Sequence, residues 1–148
     1  MSYLSKLQDD LKLAMKSREA LRIRTIRSLI SKLKEKRIEL IHDLEEAEEL
    51  QVLRKAAKER EESAATYHNA GRDDLAVNEN AELEVIKSYL PAEMDDEQIS
   101  DILKTVIAEI GASSIKDMGK VMGIAMKKLS GQADGKKVQS LVKSMLGA

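Results

Sequence analysis

Apolar residues recur at spacings of three and four along almost the whole chain, which is the repeat of an α-helix with one buried face. Short segments containing Gly, Pro, Ser or Asp interrupt this repeat and separate one helix from the next. The pattern predicts seven helices, and the fold class is therefore predicted to be all-α. The predicted helices cover residues 2–16, 19–42, 46–69, 74–90, 95–110, from 113 or 114 to a stop at Ser130-Gly131, and from 134 onward.

Pro91 marks the main boundary in the chain because proline ends a helix and restricts the residue before it. After it, Asp95 is predicted to cap a new helix, with Gln98 as its capping-box partner three residues later. The last three helices are joined by short glycine-containing loops, which force neighbouring helices to pack side by side. The sequence thus predicts an N-terminal domain of about four helices at 1–92 and a C-terminal three-helix domain at 93–148.

The second predicted helix has two chemically distinct faces. Its buried face is apolar and is expected to continue through Leu40 and Ile41 at the end of the helix. The opposite face carries the basic residues Arg24, Arg27 and Lys34 at helical spacing. Such a stripe is either a solvated surface or a binding site for a polyanion, and both interpretations stay open from the pattern alone.

Composition limits the chemistry available to the chain. Of 148 residues, 34% are charged and only 2% are aromatic, so the core must be built from aliphatic side chains and methionine. The absence of cysteine excludes disulfides, thiolate metal sites and a cysteine nucleophile. Asp9 and Asp10 interrupt the N-terminal apolar pattern, which argues against a signal or transit peptide. Because no uncharged apolar run approaches the length of a membrane span, we predict a cytoplasmic protein without a membrane partner.

The net charge of −1 hides a strong segregation of charge along the chain. Residues 1–37 carry a net charge of +7, and residues 38–92 carry −8. Residues 93–109 carry −5, and residues 110–148 carry +5. We expect at least half of these charges to pair inside the fold, and the remaining basic residues are candidate contacts for a polyanion.

No arrangement of residues in the sequence matches a known type of active site. Segment 131–136 has a superficial likeness to a phosphate-binding loop, but it has one residue too few between its glycines and follows a helix instead of a strand. A turn between two helices is the simpler interpretation. His42 and His68 lack the paired ligands of a metal site, apart from Glu45 and Glu46 near His42. We therefore predict no catalytic residue, no metal and no cofactor.

Five short motifs occur in a fixed order along the chain. They are Ala70-Gly71-Arg72-Asp73-Asp74-Leu75-Ala76, Tyr89-Leu90-Pro91-Ala92, Gly111-Ala112-Ser113-Ser114, Asp117-Met118-Gly119-Lys120-Val121-Met122-Gly123 and Gly131-Gln132-Ala133-Asp134-Gly135-Lys136. In this order and spacing the chain resembles the YqeY family over essentially its whole length. That family shares a tail-like domain with the B subunit of the glutamine-dependent aminoacyl-tRNA amidotransferase (GatB). The resemblance implies an N-terminal helical domain followed by a three-helix domain of the ubiquitin-associated type.

The resemblance also implies a function. In the amidotransferase the shared tail contacts the elbow of tRNA, whereas the chemistry takes place in other parts of the enzyme. We therefore expect a tRNA-associated protein without a catalytic site of its own, with a protein of the tRNA aminoacylation machinery as a further partner. The enzymatic label inherited from the family would be carbon–nitrogen ligase with glutamine as amido-N-donor. Two alternatives stay open: an amidotransferase accessory, and a protein-interaction module that uses Met118, Met122 and Met126.

The residues expected to contact tRNA are basic side chains, together with glycines that let a phosphate backbone approach closely. The basic residues are Lys116, Lys120, Lys127, Lys128, Lys136, Lys137 and Lys143, together with the stripe of Arg24, Arg27 and Lys34. The glycines are Gly119, Gly123 and Gly135. Gly119 and Gly123 have a second interpretation, close packing against a neighbouring helix, which would offset the cost of about 1 kcal/mol for each glycine in a helix.

Overall fold

The structure, a computed structural model, describes residues 2–129 and 132–147. These residues form seven α-helices and one short 3₁₀ helix and contain no β-strand, so the predicted all-α class is confirmed. The helices are α1 (Tyr3–Ser17), α2 (Ala20–Leu40), α3 (Glu46–Asn69), α4 (Asp73–Lys87), α5 (Asp96–Ile110), α6 (Met118–Leu129) and α7 (Gly135–Met145), and the 3₁₀ helix is Ile115–Asp117.

Contacts between the helices divide the chain into two compact units, Met1–Leu90 and Pro91–Ala148. Unit 1 contains α1 to α4, and unit 2 contains α5 to α7 with the 3₁₀ helix. Each unit encloses its own apolar core, because each amphipathic helix turns its apolar face toward its neighbours.

The core of unit 1 is aliphatic and is supplemented by polar ties between its helices. Its most deeply buried side chains are Leu7, Ile26, Leu29, Leu33, Leu53 and Ile86. Glu82 of α4 accepts hydrogen bonds from Nε of Arg24 in α2, at 2.8 Å, and from Nε of Arg60 in α3, at 2.7 Å. The hydroxyl of Tyr89 donates to Asp10 of α1 at 2.5 Å, and burial together with this bond raises the pKa of Tyr89. Polar contacts therefore join α2, α3 and α4 and connect α1 to the segment that follows α4.

Unit 2 combines an aliphatic core with well-formed helix ends. Its fully buried side chains are Leu103, Val106, Val121, Ala125, Leu129, Val138 and Val142. The Asp95 carboxylate accepts the Gln98 N–H at 2.8 Å, and the Asp95 N–H donates to the Gln98 side chain at 3.1 Å. This capping box confirms the predicted start of α5. Gly111 ends α5 in the left-handed region, at φ +66°, where glycine carries no steric penalty.

Three helix boundaries differ from the prediction. Helix α2 ends at Leu40, and Ile41 adopts a left-handed conformation at φ +60° that turns the chain away, so the predicted burial of Ile41 is wrong. Helix α6 begins at Met118, because the Asp117 carboxylate accepts N–H groups from the two preceding serines and holds a 3₁₀ turn there. Helix α4 ends at Lys87, three residues before its predicted end. The predicted stop at Ser130-Gly131 lies outside the described residues.

Candidate docking surface

The lysines predicted to bind tRNA in unit 2 all have exposed side chains. They are Lys116, Lys120, Lys127, Lys128, Lys136, Lys137 and Lys143. Two of them pair with carboxylates of α5. Lys128 Nζ lies 3.0 Å from Glu109 Oε2. Lys137 Nζ lies 2.5 Å from Asp96 Oδ1, and this hydrogen bond raises the pKa of Lys137. Pairing inside unit 2 therefore occupies part of the predicted basic surface.

The glycines predicted to admit a phosphate backbone occupy two different settings. Gly119 and Gly123 are exposed on α6, and a Cβ atom added at either position would meet no atom of the rest of the fold within 4 Å. The alternative expectation, close packing against a neighbouring helix, is therefore wrong for both. Gly135 begins α7, and a Cβ there would lie 3.9 Å from the terminal methyl group of Met126.

The three methionines of α6 belong to the core packing of unit 2. Met118, Met122 and Met126 are half-buried and contact the apolar cluster of α5, α6 and α7. An adaptable contact surface would require their side chains to be exposed. Their packing against the core assigns them a structural role instead.

The histidines lie at helix ends and interact with single carboxylates. His42 Nδ1 lies 2.7 Å from the Asp43 carbonyl oxygen, and its Nε2 lies 3.5 Å from Glu48 Oε1. The bond to the Asp43 carbonyl, assisted by the charge of Glu48, raises the pKa of His42. His68 Nδ1 lies 2.6 Å from Asp73 Oδ1. Across residues 2–129 and 132–147, no three side chains of His, Cys, Asp or Glu converge as a metal site would require.

Segment 131–136, which is predicted to be a turn between two helices, lies partly outside the described residues. Its described part, from Gln132 onward, connects α6 to α7. The Gln132 carbonyl accepts the Met94 N–H at 2.9 Å, which ties this connection to the chain before α5. Asp134 precedes the first residue of α7 at the N-cap position. The described part therefore serves as a turn between two helices.

Helix α2 carries seven cationic side chains, and most of them are neutralised within unit 1. Arg24 pairs with Glu82 at 2.8 Å, as described above. Four others also have carboxylate partners: Arg22 pairs with Glu19 (4.0 Å), Lys32 with Glu59 (2.8 Å), Lys36 with Glu39 (3.2 Å) and Arg37 with Asp43 (3.3 Å). Five of the seven cations of α2 thus form ion pairs within unit 1.

The two remaining cations, Arg27 and Lys34, lie on one face of α2. Both are exposed, and neither forms an ion pair with any side chain that the structure describes. They are seven residues apart, which corresponds to two helical turns or about 10 Å, with the exposed Ser31 between them. Sequence periodicity predicted this stripe, but only the fold separates its unpaired members from Arg24.

Two isoleucines continue the same surface toward the end of α2. Ile38 follows Lys34 by four residues and is 76% exposed. Ile41, just beyond the helix, is 89% exposed. Its left-handed backbone costs a β-branched residue about 1–2 kcal/mol relative to an ordinary conformation. The exposure of Ile38 could be predicted from the sequence, because the spacing of Arg27, Ser31 and Lys34 places Ile38 on the solvated side of the helix.

We call the surface formed by Arg27, Ser31, Lys34, Ile38 and Ile41 the α2 face. It combines two uncompensated positive charges with two large apolar side chains in contact with water. Single exposed apolar residues are common, but here two occur together at a strained helix end. A ligand complementary to this face offers both negative charge and apolar surface. None of the described helices is long and apolar enough to cross a membrane.

Comparison with known proteins identifies relatives over most of the chain. The family model of YqeY-like proteins matches residues 4–146. "Altered inheritance of mitochondria protein 41, mitochondrial" of Clavispora lusitaniae is 39% identical over 113 residues, covering 74% of this chain and 65% of the relative. The protein of the same name from Pyrenophora tritici-repentis is 27% identical over 156 residues, covering 98% and 81%. That of Saccharomyces cerevisiae strain YJM789 is 30% identical over 128 residues, covering 80% and 69%.

These relatives overturn the predicted function. They are named for altered inheritance of mitochondria, whereas the sequence analysis predicted a tRNA-associated protein resembling an amidotransferase tail. That prediction is wrong, and with it the amidotransferase-accessory alternative. The physical reason is that the shared motifs specify helix ends and turns, and a fold shared with a tRNA-binding tail does not carry over that tail's ligand.

The predicted cytoplasmic location is also contradicted, because the relatives are named as mitochondrial proteins. The prediction relied on the acidic residues near the start of the chain. Asp10 belongs to α1 and accepts the Tyr89 hydroxyl, so it reports the packing of unit 1 and carries no information on targeting. The alignment to the Clavispora lusitaniae relative spans less than two thirds of that protein's length. With the family model matching residues 4–146, the chain belongs to the YqeY family.

Proposed function

We propose that this protein is a helical binding protein that engages another protein through the α2 face. One observation carries the proposal. The only two cations of α2 without an ion pair in the described part of the chain share a face with two exposed isoleucines. A protein surface supplies both carboxylates and apolar side chains, and this combination fits the α2 face.

The energetics of the α2 face support a binding role. Exposing Ile41 in a left-handed conformation contributes nothing to the core of unit 1. The Ile41 N–H closes α2 by donating to the Arg37 carbonyl at 3.0 Å, a role that glycine fills without strain, and strained backbone is concentrated at functional sites. Burial of an exposed isoleucine at an interface is worth roughly 1.5–3 kcal/mol, which is enough to make it a significant contact.

The names of the relatives are compatible with this proposal. They refer to mitochondria and to the inheritance of that organelle, and they name no reaction. A protein that acts by binding a partner fits such a process. We extend this to the present chain as part of the proposal: it takes part in such a process by binding a partner through the α2 face.

Site-specific photo-crosslinking tests the proposal in the full-length chain. A photoreactive amino acid is placed at Ser31, in the middle of the α2 face, and cells expressing the protein are irradiated. We expect a discrete adduct larger than the 16.5 kDa chain. After the partner is identified and purified, the double variant Arg27→Glu/Lys34→Glu should weaken its affinity at least about tenfold, since two charge contacts are reversed.

Two controls make the result specific. The photoreactive residue placed at Asn78, an exposed position on α4, should give no such adduct. The variant Lys12→Glu reverses the charge of an exposed side chain on α1, outside the α2 face. It should leave the affinity unchanged. The proposal fails if positions 31 and 78 give the same adducts, or if binding withstands the double charge reversal.

A further inference from the structure

We infer that the partner of the α2 face is a second copy of this chain, so that two copies associate through antiparallel α2 helices. This inference rests on the proposed function, because it names the protein that the α2 face engages. It depends on one further property of the surface, which is its self-complementarity. A twofold-symmetric contact requires that the patch match itself when one copy is rotated onto the other.

Charge is distributed along the α2 face in the way that such a contact requires. The unpaired Lys34 precedes Ile38 by four residues. After Ile38 and the exposed His42, acidic side chains predominate: Asp43 and Glu45 are exposed between α2 and α3, and Glu46 is exposed at the start of α3. The surface therefore runs from basic through apolar to acidic along one direction. When a second copy is rotated so that its α2 runs in the opposite direction, its acidic end faces the basic end of the first copy. The surface is therefore complementary to itself.

An antiparallel crossing centred on Ile38 satisfies these positions together. With a rise of about 1.5 Å per residue along α2, Lys34 of one copy lies about 6 Å from the crossing point, on the side where α2 of the other copy ends and the turn that contains Asp43 begins. The two Ile38 side chains then meet at the centre, and Ile41 of each copy lies about 4–5 Å from it along the axis. The two Lys34 side chains are about 12 Å apart along the axis, whereas a parallel crossing would place them side by side. Electrostatics thus favours the antiparallel arrangement.

The carboxylate of Asp43 is available for this contact. Its side chain is 92% exposed and makes one ion pair, 3.3 Å from Arg37 of the same chain. A carboxylate can accept from more than one cation, so Lys34 of a second copy can join this pair. Four isoleucines form a smaller interface than the roughly 1,200 Å² at which standard complexes begin. We therefore expect association that depends on protein concentration and weakens in high salt.

Analytical ultracentrifugation of the purified full chain measures this association. The apparent mass of the wild-type protein should rise from the 16.5 kDa monomer toward the dimer between about 1 μM and 1 mM. The variant Ile38→Asp should raise the dissociation constant at least about tenfold. Leu13→Asp, which places the same charge on α1 at a residue that is 61% exposed, should associate like wild type.

Three further variants distinguish a loss of interface contacts from a loss of folding. Ile41→Gly removes an interface side chain and relieves the left-handed backbone, so it should weaken association while its Tm stays at or above that of wild type. Lys34→Glu and Asp43→Lys should each associate poorly alone, yet an equimolar mixture should form heterodimers, because opposite charges then meet in both symmetric contacts.

The absence of cysteine in the chain allows a direct test of the symmetry. Ile38→Cys should form an intermolecular disulfide under mild oxidation, because Ile38 lies at the proposed twofold axis. Val77→Cys, an exposed position on α4, should not. A monomer at all concentrations, or crosslinking at position 77 equal to that at 38, overturns the inference. If the photoreactive residue at Ser31 then still captures a different protein, the proposed function stands without it.

Discussion

The two units of this protein achieve stability by different means. In unit 1, side chains from separate helices form ion pairs and hydrogen bonds, and the Glu82 carboxylate alone contacts both Arg24 and Arg60. In unit 2, the buried residues are aliphatic, and the described ion pairs, such as that of Lys128 with Glu109, lie at the exposed surface. Both units have aliphatic cores, but unit 1 adds partly buried polar contacts between its helices, whereas unit 2 relies on volume filling and helix ends.

This difference shows how a surface for binding arises. Because the carboxylates of unit 1 neutralise five of the seven cations of α2, the two that are left define a specific face. In unit 2, the seven predicted lysines are spread over the 3₁₀ helix, α6 and α7. A selective pattern of pairing, more than the number of basic residues, distinguishes the α2 face.

The largest effect is expected from a cavity in unit 2. Leu103 is fully buried, so Leu103→Ala should lower the free energy of unfolding by about 2–5 kcal/mol through lost apolar contacts and the cavity left behind. Urea denaturation followed by circular dichroism measures the loss, and hydrogen exchange assigns it to α5, α6 and α7. The matched variant Ile38→Ala, at an exposed position, should stay within about 0.5 kcal/mol of wild type. Equal losses in the two variants would contradict the burial described here.

The polar ties of unit 1 predict the next largest effect. Glu82→Gln removes the charge that holds Arg24 and Arg60, whose side chains are 58% and 17% exposed. Leaving Arg60 with the more distant Glu79, at 3.7 Å, should cost about 1–3 kcal/mol of unfolding free energy. In unit 2, Glu109→Gln breaks an exposed pair and should cost less than about 0.5 kcal/mol. A similar loss for both variants would remove the contrast between the two units.

Substitutions at two helix ends should change the free energy of unfolding by a smaller amount, with opposite signs in the two units. Ile41 and Gly111 both follow a helix in the left-handed region, at φ +60° and φ +66°. Ile41→Gly should therefore stabilise unit 1 by about 1 kcal/mol, and Gly111→Ala should destabilise unit 2 by a similar amount. Thermal unfolding of both variants measures the pair of shifts. Destabilisation by Ile41→Gly would mean that the isoleucine side chain supports the fold.

The smallest effect concerns acid stability. The Asp117 carboxylate accepts N–H groups from Ser113 at 3.0 Å and Ser114 at 3.3 Å, and these bonds lower its pKa. Asp117 therefore contributes to the free energy of unfolding at pH values above the pKa of an aspartate in the unfolded chain, near 3.9. This contribution is lost as the pH falls through the lower pKa of the folded state. Asp117→Asn should flatten the decline of Tm between about pH 5 and pH 2. An unchanged slope in Asp117→Asn would contradict this assignment.

Local signals in the sequence were sufficient for the all-α class and for several helix ends. The helical repeat of apolar residues predicted seven helices, because amphipathicity follows directly from the 3.6-residue period. Asp95 and Gln98 predicted the start of α5, since a capping box uses atoms only three residues apart. The stripe of Arg27 and Lys34 was predicted for the same reason. Shared motifs also identified the family, although the function drawn from it was wrong.

Only the tertiary structure decided which charges remain unpaired and which apolar residues meet water. The partner of Arg24 is 58 residues away in the chain, and that of Lys32 is 27 residues away, so no local pattern indicates that they pair. Ile41 was expected to be buried because the apolar repeat continues through it, but the helix ends one residue earlier. Periodicity describes a residue's place on a helix. Whether another helix covers that place depends on how the helices pack.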